Sequence, residues 1–306
     1  MPKTIDTLVS DIQELFQGHG FSDALDKFSV DLGETFKQRF KEYGESRKAT
    51  LRLSNYGKPL RQLYYELHDT PREALPVSAK FKFLFGDILE SLLLVLAAEA
   101  GHAVEGLQKE VSVDGVIGHI DAIIDGVLVD VKSASTFSYK KFVSGGLRET
   151  GGDPFGYIPQ LAAYSLALGS IPAGFLVVDK TLGNIHLERF SSDELKSRVD
   201  VSGRIAKVRE TNSKSVEPER CYEPVPLSKS DKSGNLVLGI GCSYCGWKDH
   251  CWRDANGGAG LKVYQYATGP KWFVEIKKTP RVDEYTPVKF PTKDTIVSEQ
   301  EEVNSQ

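Results

Sequence analysis

Positive charge is in slight deficit in this chain of 306 residues. Its 38 lysines and arginines stand against 42 aspartates and glutamates, for a formal net charge of −4 at pH 7, and the pI is near 5.9. That balance excludes a global electrostatic pull toward polyanions, so any such contact has to come from local basic patches. Long apolar runs are missing too. The longest, "SLLLVLAAEA", is far short of the roughly 20 residues a bilayer requires and is read as part of a buried helix. The opening "MPKTIDTLVSDIQELF" contains acidic residues and no uninterrupted apolar core, which excludes a signal peptide. A cytosolic location and no membrane partner are expected. Cysteine is scarce, at four residues; in a cytosolic chain these read as metal ligands or free thiols before disulfides. No internal repeat is present.

Against these absences stands "GHIDAIIDGVLVDVKSAS", Gly118 to Ser135. Asp125-Gly126 between two apolar-rich runs predicts a two-residue turn with positive φ at both positions. With that pair at the tip, Ile124 faces Val127, Ala122 faces Val129 and Ile120 faces Val131, an entirely apolar side for a core. The other side pairs Ile123 with Leu128, Asp121 with Asp130, and His119 with Lys132, because side chains alternate with period two. Like charges opposite each other, about 4.5–5.5 Å apart at Cβ, destabilise the pair. A divalent cation with oxygen ligands would compensate; a solvated outer face is the alternative.

Residues 4–42 have helical spacing and predict one or two helices. In "LRLSNYGKPLRQLYYELHD", Arg52, Lys58 and Arg61 alternate with Tyr56, Tyr64 and Tyr65. That mixture suits single-strand binding, and equally an amphipathic helix after a Gly-Lys-Pro turn. Lys80 to Gly101 predicts a helix apolar nearly all round, hence buried, with Gly101 as its C-terminal cap. Asp87 and Glu90, three apart, share a face of it. A strand is expected over Val104–Val113, and a mobile basic loop over 133–154. A helix with Pro159 in its first turn then carries Gln160 and Tyr164 on one face, four apart. A second hairpin with a Gly-Asn turn follows, then a helix to about Arg209 capped by Ser191 and Glu194.

Taken together, Glu90, Asp121, Asp130-Val131-Lys132, Gln160 and Tyr164 give the chain a resemblance to the PD-(D/E)XK nuclease superfamily. Within it the chain looks most like the RecB-type exonucleases, which include the AddB nuclease domain, CRISPR-associated RecB-like exonucleases and many phage exonucleases. The resemblance covers about residues 50–255 and rests most on "GHID", "VDVKSAS" and the Gln160/Tyr164 pair. It implies that Asp121, Asp130 and Glu90, with the Val131 carbonyl, hold Mg²⁺ or Mn²⁺. Lys132 completes the motif, and Gln160 and Tyr164 lie against the metal site and the DNA. Lys140, Lys141 and Arg148, in the predicted loop, are placed for phosphate contacts. Asp87 is read as structural and His119 as a neighbour of the site.

Cys242, Cys245 and Cys251 form CxxCxxxxxC, a metal-binding spacing. The resemblance implies that such a triplet closes a 4Fe-4S cluster whose fourth cysteine lies upstream; the matching position here is Leu60. Cys221 is the substitute candidate and His250 another, so an iron–sulfur cluster and Zn²⁺ both stay open, with a structural role. These readings predict an α/β fold: a restriction-endonuclease-like PD-(D/E)XK core with a central mixed sheet flanked by helices. The expected order is an N-terminal helical region (1–76), nuclease core (77–211), cysteine segment (212–276) and disordered tail (277–306). The expected activity is metal-dependent DNA exonuclease in recombination, repair or phage DNA metabolism, with recombination or replication proteins as partners. A structure-selective or restriction-type endonuclease and a non-catalytic DNA-binding module are the alternatives.

Overall fold

The computed structural model describes residues 3–17, 30, 33, 34, 37, 49–73 and 77–285. Most of the helical region expected over 4–42, and tail residues 286–306, lie outside the described residues. The chain forms two compact units, Met1–Leu67 with Phe81–Val216, and His68–Lys80 with Glu217–Gln306. Among the described residues no helix is long and apolar enough to cross a membrane.

In chain order the elements of the first unit begin with α1 (Leu8–Glu14), α2 (Leu60–Leu67) and the long helix α3 (Val77–Glu99). Strands β1 (Val104–Glu105), β2 (Glu110–Val113), β3 (Val116–His119), β4 (Ala122–Ile124) and β5 (Val127–Ala134) come next. After them come α4 (Thr136–Val143), α5 (Tyr157–Ala167), β6 (Ala173–Asp179), β7 (Ile185–Phe190), α6 (Ser192–Arg198) and α7 (Val201–Asn212). Five strands make a mixed sheet in the order β1-β4-β5-β6-β7; only the β5–β6 pair is parallel. It is a mixed α/β architecture with helices on both faces of the sheet.

The period-two alternation of the central strands sorts side chains into two cores. Val127, Val129 and Val131 of β5, with Leu176 and Val178 of β6, pack with α1 and the C-terminal half of α3. Leu128, Phe175 and Val177 pack with α5, α6, α7 and the β2–β3 hairpin. Strands buried on both faces read as continuous apolar runs, which "VLV" and "AGFLVV" do.

The Asp125-Gly126 turn has left-handed φ at both residues, 49° and 79°, and Ile124–Val127, Ile123–Leu128 and Ala122–Val129 pair in the predicted register. Below Ala122 the expected ladder ends. A second Asp-Gly turn, Asp114-Gly115, with φ 49° and 73°, folds β3 back onto β2. His119 therefore faces Glu110 rather than Lys132. Ile120 joins the α5-side core while Ala122 joins the other. The strand expected over Val104–Val113 is accordingly two strands in two sheets.

Three other expectations are corrected. Helix α3 reaches Glu99 and ends at Gly101 with φ 86°, but it is not buried all round, since Phe81, Phe83 and Phe85 are each more than half exposed. The stretch 133–154 is not a loop: α4 occupies Thr136–Val143, with the Ser135 hydroxyl accepting from the Ser138 N–H. The helix begun by Ser191 stops at Arg198, and Asp200 caps a second one through the Gly203 N–H. Of the two readings of the basic-aromatic stretch near residue 60, the helix after Gly-Lys-Pro holds, as α2; Tyr56 and Tyr65 are buried, Lys58 pairs with Glu66, Arg61 lies over Tyr65, and Arg52 is exposed. Arg204 of α7 donates to the carbonyls of Tyr56, Gly57 and Lys58 at 2.6–3.0 Å.

The second unit contains a four-stranded sheet of β8 (Val225–Pro226), β9 (Leu236–Val237), β10 (Lys262–Tyr266) and β11 (Gly269–Glu275), in the order β10-β11-β9-β8. The short helical segments Ile240–Ser243 and Lys248–Cys251 carry Cys242 and Cys251, and Cys245 lies between them. The Trp247 indole donates to the Thr70 carbonyl at 2.9 Å, and Lys248 pairs with Glu73. Of the tail, residues 277–285 are described, and Glu284 forms an antiparallel bridge with Tyr264.

Candidate active site

Strand β4 begins at Ala122, so among the described residues the C-terminal half of β5 has a strand neighbour only on its β6 side. Obligatory backbone donors need a partner there. Asp121 supplies it, its Oδ2 accepting from the Val131 N–H at 2.7 Å. Asp130, on the α5 side of β5, is 2% exposed. Its Oδ1 accepts from the Gln160 amide at 3.2 Å and its Oδ2 is ion-paired with Lys132. The Lys132 ammonium also lies 5.3 Å from the centre of the Tyr157 ring.

From the opposite face of the sheet α3 brings Glu90. Its Oε1 accepts from the Gln108 side chain at 2.8 Å, and Gly86, one turn earlier, packs near the Ser133 hydroxyl. Gln108 was not singled out from sequence. Its backbone is left-handed, φ 51°, and its N–H reaches the Asp121 carbonyl, so it fixes the loop between Glu90 and Asp121. Non-glycine residues in that region concentrate at functional sites, yet no sequence signal marks one.

The electrostatics follow from this crowding. Burial first, then the charges of Asp130 and Glu90, push the Asp121 carboxyl well above its ordinary range. Burial pulls the Lys132 ammonium down, but Asp130 and Asp121 outweigh it, so the net displacement is upward. Lys132 therefore stays cationic at neutral pH. Tyr164 is buried, and burial, followed by the Asp130 charge, raises its hydroxyl to about 12. A side chain at Gly118 would collide with its ring.

The other residues singled out from sequence lie as follows. Lys140 and Lys141 are on α4, Lys141 lying 5.8 Å from the Phe137 ring centre. Arg148 is committed elsewhere, paired with Glu188 and Glu194 and stacked on Phe190 at 3.9 Å. His119 is exposed, 3.7 Å from Glu110. In the second unit the four thiols are unbridged. Burial, then Cys245, pushes Cys242 up to about 12, with Cys221 and Cys251 acting the same way. His250, the other candidate ligand, lies 3.5 Å from Glu217.

Among the described residues, no three His, Cys, Asp or Glu side chains are arranged to hold a metal ion. The chemistry of the donor sets is nonetheless specific. Three carboxylates that act on one another beside a single lysine form a hard oxygen set whose repulsion a divalent cation would relieve. The four thiols, Cys221, Cys242, Cys245 and Cys251, form a soft one.

Set against known proteins, the chain matches no family model and no curated protein. Among solved structures it is similar to one titled SSO0001, at 16% identity and a TM-score of 0.40, over 76% of this chain and 95% of that one. It is also similar to an alkaline exonuclease, LHK-Exo, from Laribacter hongkongensis, at 15% identity and a TM-score of 0.36, over 54% and 90%. The same exonuclease in complex with dAMP gives 17% identity and a TM-score of 0.38, over 53% and 89%. At such distances the site has to be judged on its own geometry.

Proposed function

We propose that the chain is a metal-dependent deoxyribonuclease with a PD-(D/E)XK core of the RecB-like branch, acting as an exonuclease on DNA. The observation that carries this reading is that Asp130 is buried against Lys132 and Gln160, while Asp121, under the charges of Asp130 and Glu90, takes the Val131 N–H where β4 no longer pairs with β5.

A phosphodiester is anionic, and its hydrolysis requires charge neutralisation and a nucleophile at neutral pH. Bound Mg²⁺ or Mn²⁺ supplies both. Asp121, Asp130 and Glu90, with the Val131 carbonyl, would hold it. Gln160 steadies Asp130, and Gln108 steadies Glu90. Lys132, held protonated, stabilises charge at the scissile phosphate and orients the attacking water; it does not serve as the base. Tyr164 backs Gln160, and Lys140 and Lys141 contact phosphate. In the second unit Cys221, Cys242, Cys245 and Cys251 would hold a structural iron–sulfur cluster or Zn²⁺.

The test is degradation of end-labelled linear single- and double-stranded DNA beside covalently closed circles, with Mg²⁺ or Mn²⁺, for wild type, Asp130→Asn and Lys132→Ala. Shortening of linear DNA from an end, lost in both variants, supports the proposal. Equal cutting of circles replaces exonuclease with endonuclease, and binding without any cleavage removes the enzymatic reading.

A further inference from the structure

Single exposed aromatic rings are ordinary on a protein surface, and this chain has several, Phe16, Phe137 and Tyr244 among them. Two others border the site from opposite faces of the sheet. Phe83 lies on α3, seven residues before Glu90 and three before Gly86, so the three share one stripe of the helix. Gly86 packs near the Ser133 hydroxyl and Glu90 acts on Asp121, so this stripe faces the acids, with Phe83 about 10 Å further up the axis. Phe83 is 52% exposed. Phe155 comes from the other face. It is 42% exposed, its ring centre is 5.6 Å from that of Tyr157, and Tyr157 lies against Lys132. Phe155 does not sit on a loose segment, because Asp153 accepts from the N–H groups of Tyr157 and Ile158 just beyond it.

We infer that Phe83 and Phe155 are stacking platforms for nucleobases of an unpaired strand, one on each side of the acid cluster. The inference rests on the nuclease reading for its substrate and adds to it the residues that select single-stranded over paired ends. Exposed Lys82 adjoins Phe83, so phosphate has a cation beside that ring, while Lys132, beyond Tyr157, is paired with Asp130. A base stacked in a duplex offers no free face, whereas every unpaired base does. Phe81 is a built-in control, since nine residues from Glu90 put it on the opposite side of the same helix, paired with Phe85 at 6.4 Å.

The experiment is fluorescence anisotropy of the full chain with a labelled oligothymidylate and with an abasic strand of equal length, in Ca²⁺. Phe83→Leu, Phe155→Leu, the two Trp variants and Phe81→Leu are compared with wild type. Expected is tighter binding of the base-bearing strand. Each Leu variant at 83 or 155 should weaken it by about five- to a hundred-fold, the abasic strand should be unaffected, and Trp should restore affinity. Equal affinity for both strands, Leu variants that match wild type, or an equal loss in Phe81→Leu each overturns the inference. Because binding is read without turnover, a chain that binds in this ring-dependent way but never cuts with Mg²⁺ or Mn²⁺ refutes the nuclease proposal and leaves the stacking role standing.

Discussion

Gln160 on α5 donates to Asp130 on β5 at 3.2 Å, so the carboxylate nearest the motif lysine is held by an amide that arrives on a different element. Gln160→Leu removes that donor. Groups that orient a metal-ligating side chain typically contribute ten- to a hundred-fold. Cleavage by Gln160→Leu should fall by about that factor, with a weaker apparent affinity for Mg²⁺ and an unchanged circular dichroism spectrum; unchanged kinetics would separate Gln160 from the chemistry.

Lys132 and Asp130 form a pair in which the acid is almost fully enclosed. Removing one member of a buried pair costs about 3–5 kcal/mol, because the other is left uncompensated. Lys132→Met should therefore be destabilised by that order, and Lys132→Met/Asp130→Asn should regain most of the loss. Urea denaturation of the cycle measures the coupling.

The hairpin around Asp125-Gly126 was legible because its signal is local: two residues fix the turn, and alternation then fixes the register. The same signal stood in the sequence at Asp114-Gly115, but a local pattern does not say which neighbour a strand will take. Alternation alone therefore pairs His119 with Lys132, whereas its partner is Glu110. Gln160 and Tyr164 were legible as a helical pair, and Gln160 does reach Asp130. The partners of Arg148 were not, since Glu188 and Glu194 lie some forty residues away and nothing in the stretch around Arg148 points to them. Gln108 was invisible for a different reason, its importance lying in a backbone angle.

Glu188 offers a pH test. Burial, only partly offset by Arg148, raises its carboxyl from 4.5 to about 7. Between those values the unfolded chain has released the proton and the folded chain retains it, so this group makes stability fall as pH rises from about 4.5 to 7. Below the window and above it the group contributes no slope. In Glu188→Gln the dependence of the urea midpoint on pH should be flatter in that interval than in wild type.

Gly57 and Gly156 pack backbone to backbone, and a Cβ on either would come within 2.6 Å of the other's backbone. Gly156 also has φ 76°. This contact seats the start of α5, where the Tyr56 hydroxyl donates to the Pro159 carbonyl at 2.6 Å. Gly57→Ala and Gly156→Ala should each lower stability by roughly 1–3 kcal/mol, the cost of overpacking, with a parallel fall in Tm; an unchanged Tm would show that the strands of backbone separate freely.

For the thiols, metal analysis of the purified chain should find iron or zinc. Cys221→Ser should lose it as fully as Cys242→Ser does, while His250→Ala, whose imidazole lies beside Glu217, should retain it. Retention by Cys221→Ser would leave the fourth ligand to another side chain.

The parallel pairing of β5 with β6 has a consequence for the order of assembly. The β4–β5 hairpin needs only its two-residue turn and closes on the microsecond scale of isolated hairpins. Placing β6 beside β5 requires α4 and α5 to form and cross over first, and such long-range closures come later. During synthesis the chain thus acquires the strand that carries Asp130 early and the glutamine that steadies it late. The site should consequently gain its cleft chemistry in one cooperative step, when the crossover docks, with the early hairpin able to attract cations before any substrate can be held.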